Sequence, residues 1–327
     1  MTALEAWLAG PLAGRPFTLA PASADASFRR YFRVTHAAGT HIAMDAPPER
    51  EDCRPFVQVA GLMQTAGLHV PEIVAADTDQ GFLLLSDLGH TTYLQALTAD
   101  NADVLFGDAI TALIAWQSAS RPGLLPPYDR ALLQREMALF PDWYVQRHLG
   151  IALTDTQSAT LTQIMDLLAD SALAQPAVFV HRDYMPRNLM ISKPNPGVLD
   201  FQDAVYGPIT YDVVSLFRDA FISWPEARVL DWTVRYWEQA RHAGLPVDAD
   251  FGAFYRAFEW MGLQRHLKVL GIFARIRHRD GKPAYLEDAP RFLHYVHAVC
   301  ARYAVLAPLA HLLDALEQRS PRVGYTF

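Results

Sequence analysis

The chain has 327 residues, 51% hydrophobic and 19% charged, enough to bury one large core or two lobes of ordinary size and too apolar for a disordered protein. A formal net charge of -7 argues against a surface dedicated to nucleic acid, which concentrates Lys and Arg. Two cysteines, Cys53 and Cys300, give neither a disulfide framework nor a Cys-x-x-Cys motif, which suits a reducing compartment with the cytoplasm as the expected location.

The N-terminal stretch MTALEAWLAG lacks the basic start and long apolar run of a secretory signal and reads as a short amphipathic helix. Residues 31–34 and 41–44 form a hairpin-like pair around 37–40. Residues 54–66 carry Phe56, Val57, Ala60, Leu62 and Met63 at helical spacing, and Gly67 is a natural stop. Segments 70–74 and 81–85 read as a second pair of strands. From Tyr93 onward the pattern is helical, with the longest run over 104–118. Thr154-x-x-Gln157 is a capping box that opens a helix to about Leu168, and Ser223-Trp-Pro-Glu226 has the same form with its proline in the first turn. The apolar stretch 295–313 is interrupted by His297, Arg302, Pro308 and His311, so it predicts packed helix and no membrane span. His294, His297 and Cys300 share one broad helix face without a fourth ligand, which favours core packing over a zinc site. The expected fold class is α+β, with a β-rich lobe over 1–86, a link at 87–90 and a large helical lobe over 91–327.

Residues 178–191 read VFVHRDYMPRNLMI, a polar cluster between two strand-like runs. Asp183 and Asn188 are followed by Asp200 behind a second run, Val198-Leu199. A hairpin of 189–191 with 198–199 brings the three together. Carboxylates and an amide oxygen are hard ligands that suit Mg²⁺, whose shell is completed by water and phosphate oxygens. Phosphoryl transfer is the chemistry that this set fits. Asp203 is either a third metal neighbour or a turn carboxylate.

His181-Arg182-Asp183-Tyr184-Met185-Pro186-Arg187-Asn188 resembles the kinase catalytic loop H-R-D-x-x-x-x-N, and Leu199-Asp200-Phe201-Gln202 resembles D-F-G with Gln for Gly. The short spacing and the later Asp212 are similar to the aminoglycoside phosphotransferase branch of the protein-kinase-like fold. Ser27 to Arg33, Met44 to Pro48, Leu85 to Gly89 and Gly262 to Gly271 further resemble the anomeric sugar kinases of cell-wall recycling. Those enzymes use ATP to make the α-1-phosphates of N-acetylmuramate and N-acetylglucosamine. The resemblance implies a two-lobed fold, an amino-sugar substrate, ATP and Mg²⁺. It makes Asp183 the residue that accepts or aligns the hydroxyl proton and gives the metal to Asn188 and Asp200. It assigns adenine to the backbone of Asp87 and Leu88, with Ala43 and Leu189 on its faces, and makes His181 and Asp212 loop supports.

Two departures from the kinase pattern matter. Ile42-Ala43-Met44-Asp45 is expected to put Asp45 where the third-strand lysine of V-A-I-K stands, and the glycine-rich loop is missing from 24–30. The expectation is that backbone amides at Ser27 and Phe28, with Arg29, Arg30 or Arg33, carry the phosphate charge. For the sugar, the expected groups are Trp224, Glu259, Trp260, Arg265, His266, Lys268, Arg275 and Arg277, with Arg187 and Arg265 against a lactyl carboxylate. A different small-molecule acceptor (aminoglycoside, choline or homoserine) and a nucleotide-binding pseudokinase scaffold remain open alternatives at this stage.

Overall fold

In the computed structural model, which describes residues 3–23 and 28–317, the chain opens with a short helix, α1 (Ala3–Leu8). Strands β1 (Phe17–Ser23), β2 (Arg30–His36) and β3 (Gly39–Asp45) follow, then helix α2 (Arg54–Thr65) and strands β4 (Ile73–Asp77) and β5 (Phe82–Ser86). The strands form one antiparallel sheet in the order β1-β2-β3-β5-β4. Helices α3 (Tyr93–Ala96) and α4 (Ala102–Ser118) come next. The chain continues through α5 (Arg130–Met137), a π-helical segment (Phe140–His148), α6 (Asp155–Leu173) and strand β6 (Ala177–Val180). The short strands β7 (Leu189–Met190) and β8 (Gly197–Val198) pair as a hairpin, followed by β9 (Val205–Pro208) and helices α7 (Tyr211–Phe217), α8 (Glu226–His242), α9 (Phe251–Asp280), α10 (Ala289–Cys300) and α11 (Ala307–Leu316).

Two compact units result. The first holds residues up to Ala119 together with His181–Ala204, and the second holds Ser120–Val180 and the chain from Val205 onward. The sheet, α1 to α4 and the catalytic-loop hairpin therefore share one unit. Val180 and Val205 are direct partners in the antiparallel β6–β9 ladder of the second unit, so the excursion 181–204 leaves and returns at paired residues.

Side-chain alternation explains how the sheet is covered. Val34, Ala43, Phe82 and Leu84 point to one face and pack with Leu4, Leu8 and Leu12, with Phe17, Leu19 and Phe32 around them. Burial of each such leucine contributes roughly 1.5–3 kcal/mol. The opposite face carries Tyr31, Arg33, Ile42, Met44, Leu83 and Leu85. Met44 and Leu83 are fully buried there, in packing separate from the α1 cluster.

In the second unit, α9 packs against the π-helical segment, α6, α7 and α10. Gly271 allows a close approach of α9 to the chain at Leu139, because a Cβ there would lie 2.3 Å from the Leu139 carbonyl carbon. The capping box forms as the sequence predicts, with Thr154 and Gln157 bonding reciprocally. Ser223 does not cap α8: Pro225 holds that position, and the Ser223 hydroxyl instead meets Tyr295 and accepts from Arg291. His297 bonds Glu317 at 3.0 Å, and Cys300 is buried. Among the described residues, no helix is long and apolar enough to cross a membrane.

Candidate active site

The catalytic-loop segment is built around one imidazole. His181 follows β6 and is fully buried. Its Nε2–H donates to the carbonyl of Leu199 at 3.0 Å, while its Nδ1 accepts the amide of Asp183 at 3.2 Å. This pairing defines a neutral ring with its proton on Nε2. Burial depresses the His181 pKa to about 4, with the neighbouring Asp183 charge opposing the shift.

The same bonds brace two strained positions. Arg182 (φ 76°) and Asp200 (φ 63°) are non-glycine residues in the left-handed region, each costing about 1–3 kcal/mol. Arg182 lies between the ring and the Asp183 amide, and Asp200 directly follows the Leu199 carbonyl. His181 thus fixes both bends that aim Asp183 and Asp200.

Asn188 joins the two carboxylate-bearing segments. Its Nδ2 donates to the Asp183 carbonyl at 2.9 Å and to Asp200 Oδ2 at 3.3 Å, leaving Oδ1 outside both bonds. The Leu199 amide donates to the Asn188 carbonyl at 2.9 Å, extending the β7–β8 ladder toward Asp200. Gln202, which stands in place of the usual glycine, donates from Nε2 to Asp200 Oδ1 at 2.9 Å. The substitution therefore supplies an orienting amide. Asp203 is exposed and receives a longer contact from the same amide, at 3.4 Å. The loop is anchored below by Tyr184, whose hydroxyl donates to the Ala109 carbonyl on α4 at 2.8 Å. Phe201 is buried against Phe56 of α2, with ring centroids 4.7 Å apart. Asp183, Asn188 and Asp200 are thus brought together as the sequence predicts, and the Asn188 amide oxygen and Asp200 carboxylate are hard donors of the kind that Mg²⁺ takes.

At 86–89 the chain lines a cavity of about 410 Å³ with His69, Glu72, Ser192 and Lys193. Arg33 reaches this region from β2. Its guanidinium donates to Asp87 at 2.7 and 3.1 Å and to the Gly89 carbonyl at 2.7 Å, and it also meets His90. Burial alone would raise the Asp87 pKa, but Arg33, the Gly89 amide and Thr40 hold it below the ordinary carboxylate value. Leu189 is fully buried in β7.

The expected third-strand assignment needs correction. Ala43 is sealed beneath α1, so it has no open surface for a base. Asp45 shares that face and pairs with Arg30, its partner across the ladder. On the opposite face, which carries Arg33, β3 presents the uncharged Ile42 and Met44. Ser27 lies outside the described residues. Phe28 is exposed beneath the guanidinium of Arg50, and Arg29 pairs with Glu51 at 3.0 Å.

The expected sugar-binding residues are divided between the units. Arg187 is half-buried in the catalytic loop of the first. In the second, Trp224 packs edge-on to Trp232 under Arg228, and Arg265 is 2% exposed. Glu259 is fully buried: its carboxylate accepts from Arg218 at 3.1 Å and Tyr303 at 2.7 Å and also pairs with Arg302. These contacts make it an internal anion and not an open sugar ligand. Sequence reading missed the deeply buried Asp219, and His266, expected among the sugar-binding groups, is fully buried as well. Burial raises the first and strongly lowers the second, so both are pushed toward neutrality. Asp212 is buried in the first turn of α7.

A strained catalytic loop, a bridging asparagine and a second aspartate beside a five-stranded sheet define a kinase-like phosphotransferase. The chain belongs to the phosphotransferase enzyme family, whose pattern matches residues 18–247. It is 60% identical over 92% of its length to a Pseudomonas putida N-acetylmuramate/N-acetylglucosamine kinase, covering 88% of that protein. It is 50% identical to a Neisseria meningitidis protein of the same name, over 99% of this chain and 98% of the relative. Among solved structures, a choline kinase from Streptococcus pneumoniae shares the fold with a TM-score of 0.66 at 12% identity, covering 92% of this chain and all of the other.

Proposed function

We propose that this chain is an ATP-dependent anomeric kinase that phosphorylates the C1 hydroxyl of N-acetylmuramate and N-acetylglucosamine to the α-1-phosphate, in peptidoglycan recycling. The observation that carries the reading is 60% identity, over 92% of the chain, to a protein named for those two sugars. The gathering of Asp183, Asn188 and Asp200 supports it.

In this mechanism Asp183 accepts the hydrogen bond of the anomeric hydroxyl and orients its oxygen toward the γ-phosphorus. The P–O bond to the sugar forms as the bond to ADP breaks, and the hydroxyl proton passes to Asp183. An anomeric hydroxyl is more acidic than an ordinary alcohol, so alignment with modest proton acceptance is sufficient. Asn188 Oδ1 and the Asp200 carboxylate would hold Mg²⁺, which neutralises phosphate charge when bound. The backbone of Asp87 and Leu88 binds adenine, and His181 and Asp212 act as positioning residues. Arg187 is the cation proposed for the lactyl carboxylate. The reading places the protein in the cytoplasm, where ATP and free thiols coexist, with no nucleic-acid or membrane partner.

The test is ATP consumption by purified protein with N-acetylmuramate, N-acetylglucosamine, choline or kanamycin, and identification of the phosphorylated carbon by NMR. Turnover with the two amino sugars and a C1 phosphate is expected. Turnover with choline or kanamycin alone assigns a different acceptor. Nucleotide binding without any turnover points to a scaffold.

A further inference from the structure

The ion pair that normally holds ATP phosphates in a kinase consists of a third-strand lysine and a helix glutamate. Both members are missing here, and they are missing together. Ladder register puts Ile42 and Met44, both uncharged, on the face of β3 opposite α1. Helix α2, with the sequence RPFVQVAGLMQT, contains no acidic residue. A phosphotransferase still needs a cation along the phosphates, because charge stabilisation is most of what such a site supplies.

Three arginines flank the sheet, and their pairings separate them. Arg33 is engaged by Asp87 and Gly89 at the nucleoside end of β2. Arg30 stands opposite Asp45, on the face that α1 covers. Arg29 directly precedes β2, on the chain that enters the strand. Arg29 Nη2 meets Glu51 Oε2 at 3.0 Å, with only 11% and 18% of the two side chains exposed. Glu51 lies two residues before Cys53, the N-cap of α2, and Phe56 in the first turn of that helix touches Phe201, the neighbour of Asp200.

We propose that Arg29, held by Glu51, replaces the absent lysine–glutamate pair and supplies the side-chain cation that binds the ATP phosphates. The pair keeps its charges but moves both off the regular elements, the cation to the chain entering β2 and the anion to the chain entering α2. This inference rests on the kinase reading above.

The test is binding of adenosine, ADP and ATP, each with Mg²⁺, by calorimetry, in wild type, Arg29→Gln, Arg29→Lys, Glu51→Gln and Arg30→Gln. Wild type is expected to bind ATP more tightly than adenosine. Arg29→Gln should lose about 10- to 100-fold in ATP affinity, as expected for a lost charge-assisted contact, while its adenosine affinity stays within about 2-fold. Arg29→Lys should recover part of the loss, and Glu51→Gln should lose less than Arg29→Gln. Retention of the full phosphate gain in Arg29→Gln overturns the proposal. So does an equal loss of adenosine affinity, which marks a purely structural pair, or transfer of the loss to Arg30→Gln. A wild type that gains nothing from ATP over adenosine overturns the kinase reading itself, and the proposal with it.

Discussion

Lowering the pH from 7.5 to 5 should weaken the catalytic-loop segment through a single group, His181. The ring is buried with one proton, donating to Leu199 and accepting from Asp183. Its folded value of about 4 lies below the ordinary 6.5, so the unfolded chain takes up a proton in this range before the folded one does. The stability contributed by the neutral ring is therefore complete above pH 6.5 and declines as pH falls toward 4. At roughly 1.4 kcal/mol per unit, the loss attributable to His181 is about 2 kcal/mol at pH 5 and about 3 kcal/mol by pH 4. His181→Gln retains an amide donor and a carbonyl acceptor but cannot titrate. Urea unfolding of both proteins at pH 7.5, 6 and 5 isolates the term, since the other histidines contribute equally to each. The wild type should lose about 2 kcal/mol more than His181→Gln across this interval. Parallel pH slopes, or an imidazole NMR resonance that titrates near 6.5 and is assigned to His181, would refute the reasoning.

Asp183→Asn should keep ATP affinity, measured by calorimetry, while turnover in a coupled assay falls by about 10²- to 10⁴-fold. Glu259→Gln leaves the buried Arg218 without its anion, while Arg302 keeps Glu226, and should cost about 3–5 kcal/mol, read by chemical denaturation. Sugar KM in the folded fraction should change little, and a large KM rise without loss of stability would return Glu259 to the acceptor site. Gly271→Ala puts a methyl 2.3 Å from the Leu139 carbonyl carbon and should destabilise by about 1–3 kcal/mol or more, seen as a lowered thermal midpoint.

Parts of the molecule were legible because their causes are local. The β2–β3 hairpin, α2 and α4 follow from hydrophobic period, and the α6 start follows from a capping box that forms as written. Asp183, Asn188 and Asp200 are close in sequence, and the hairpin that joins them is only two residues per strand. Strand β1 escaped because Pro21 and small residues interrupt its apolar run, a composition tolerated because β1 lies at the sheet edge. The face carrying Ala43 was unreadable for a different reason. Ala43 and Met44 are both fully buried, so alternation of burial gives no hint of which side is which. Glu259 was misread because Arg218, Arg302 and Tyr303, which engage it, lie 41 to 44 positions away, beyond any local pattern.

The pairing of Val180 with Val205 has a consequence for how the site assembles. Once β6 and β9 zip together, the chain from His181 to Ala204 becomes a closed loop of fixed mouth, and about 3 kcal/mol of closure entropy has been spent before any bond of the loop forms. The bonds from His181, Asn188 and Gln202 then need only order a tethered segment. A substitution that frays β6 against β9 should therefore act on the phosphotransfer site as a loss of effective concentration, slowing its formation without touching any residue that meets substrate.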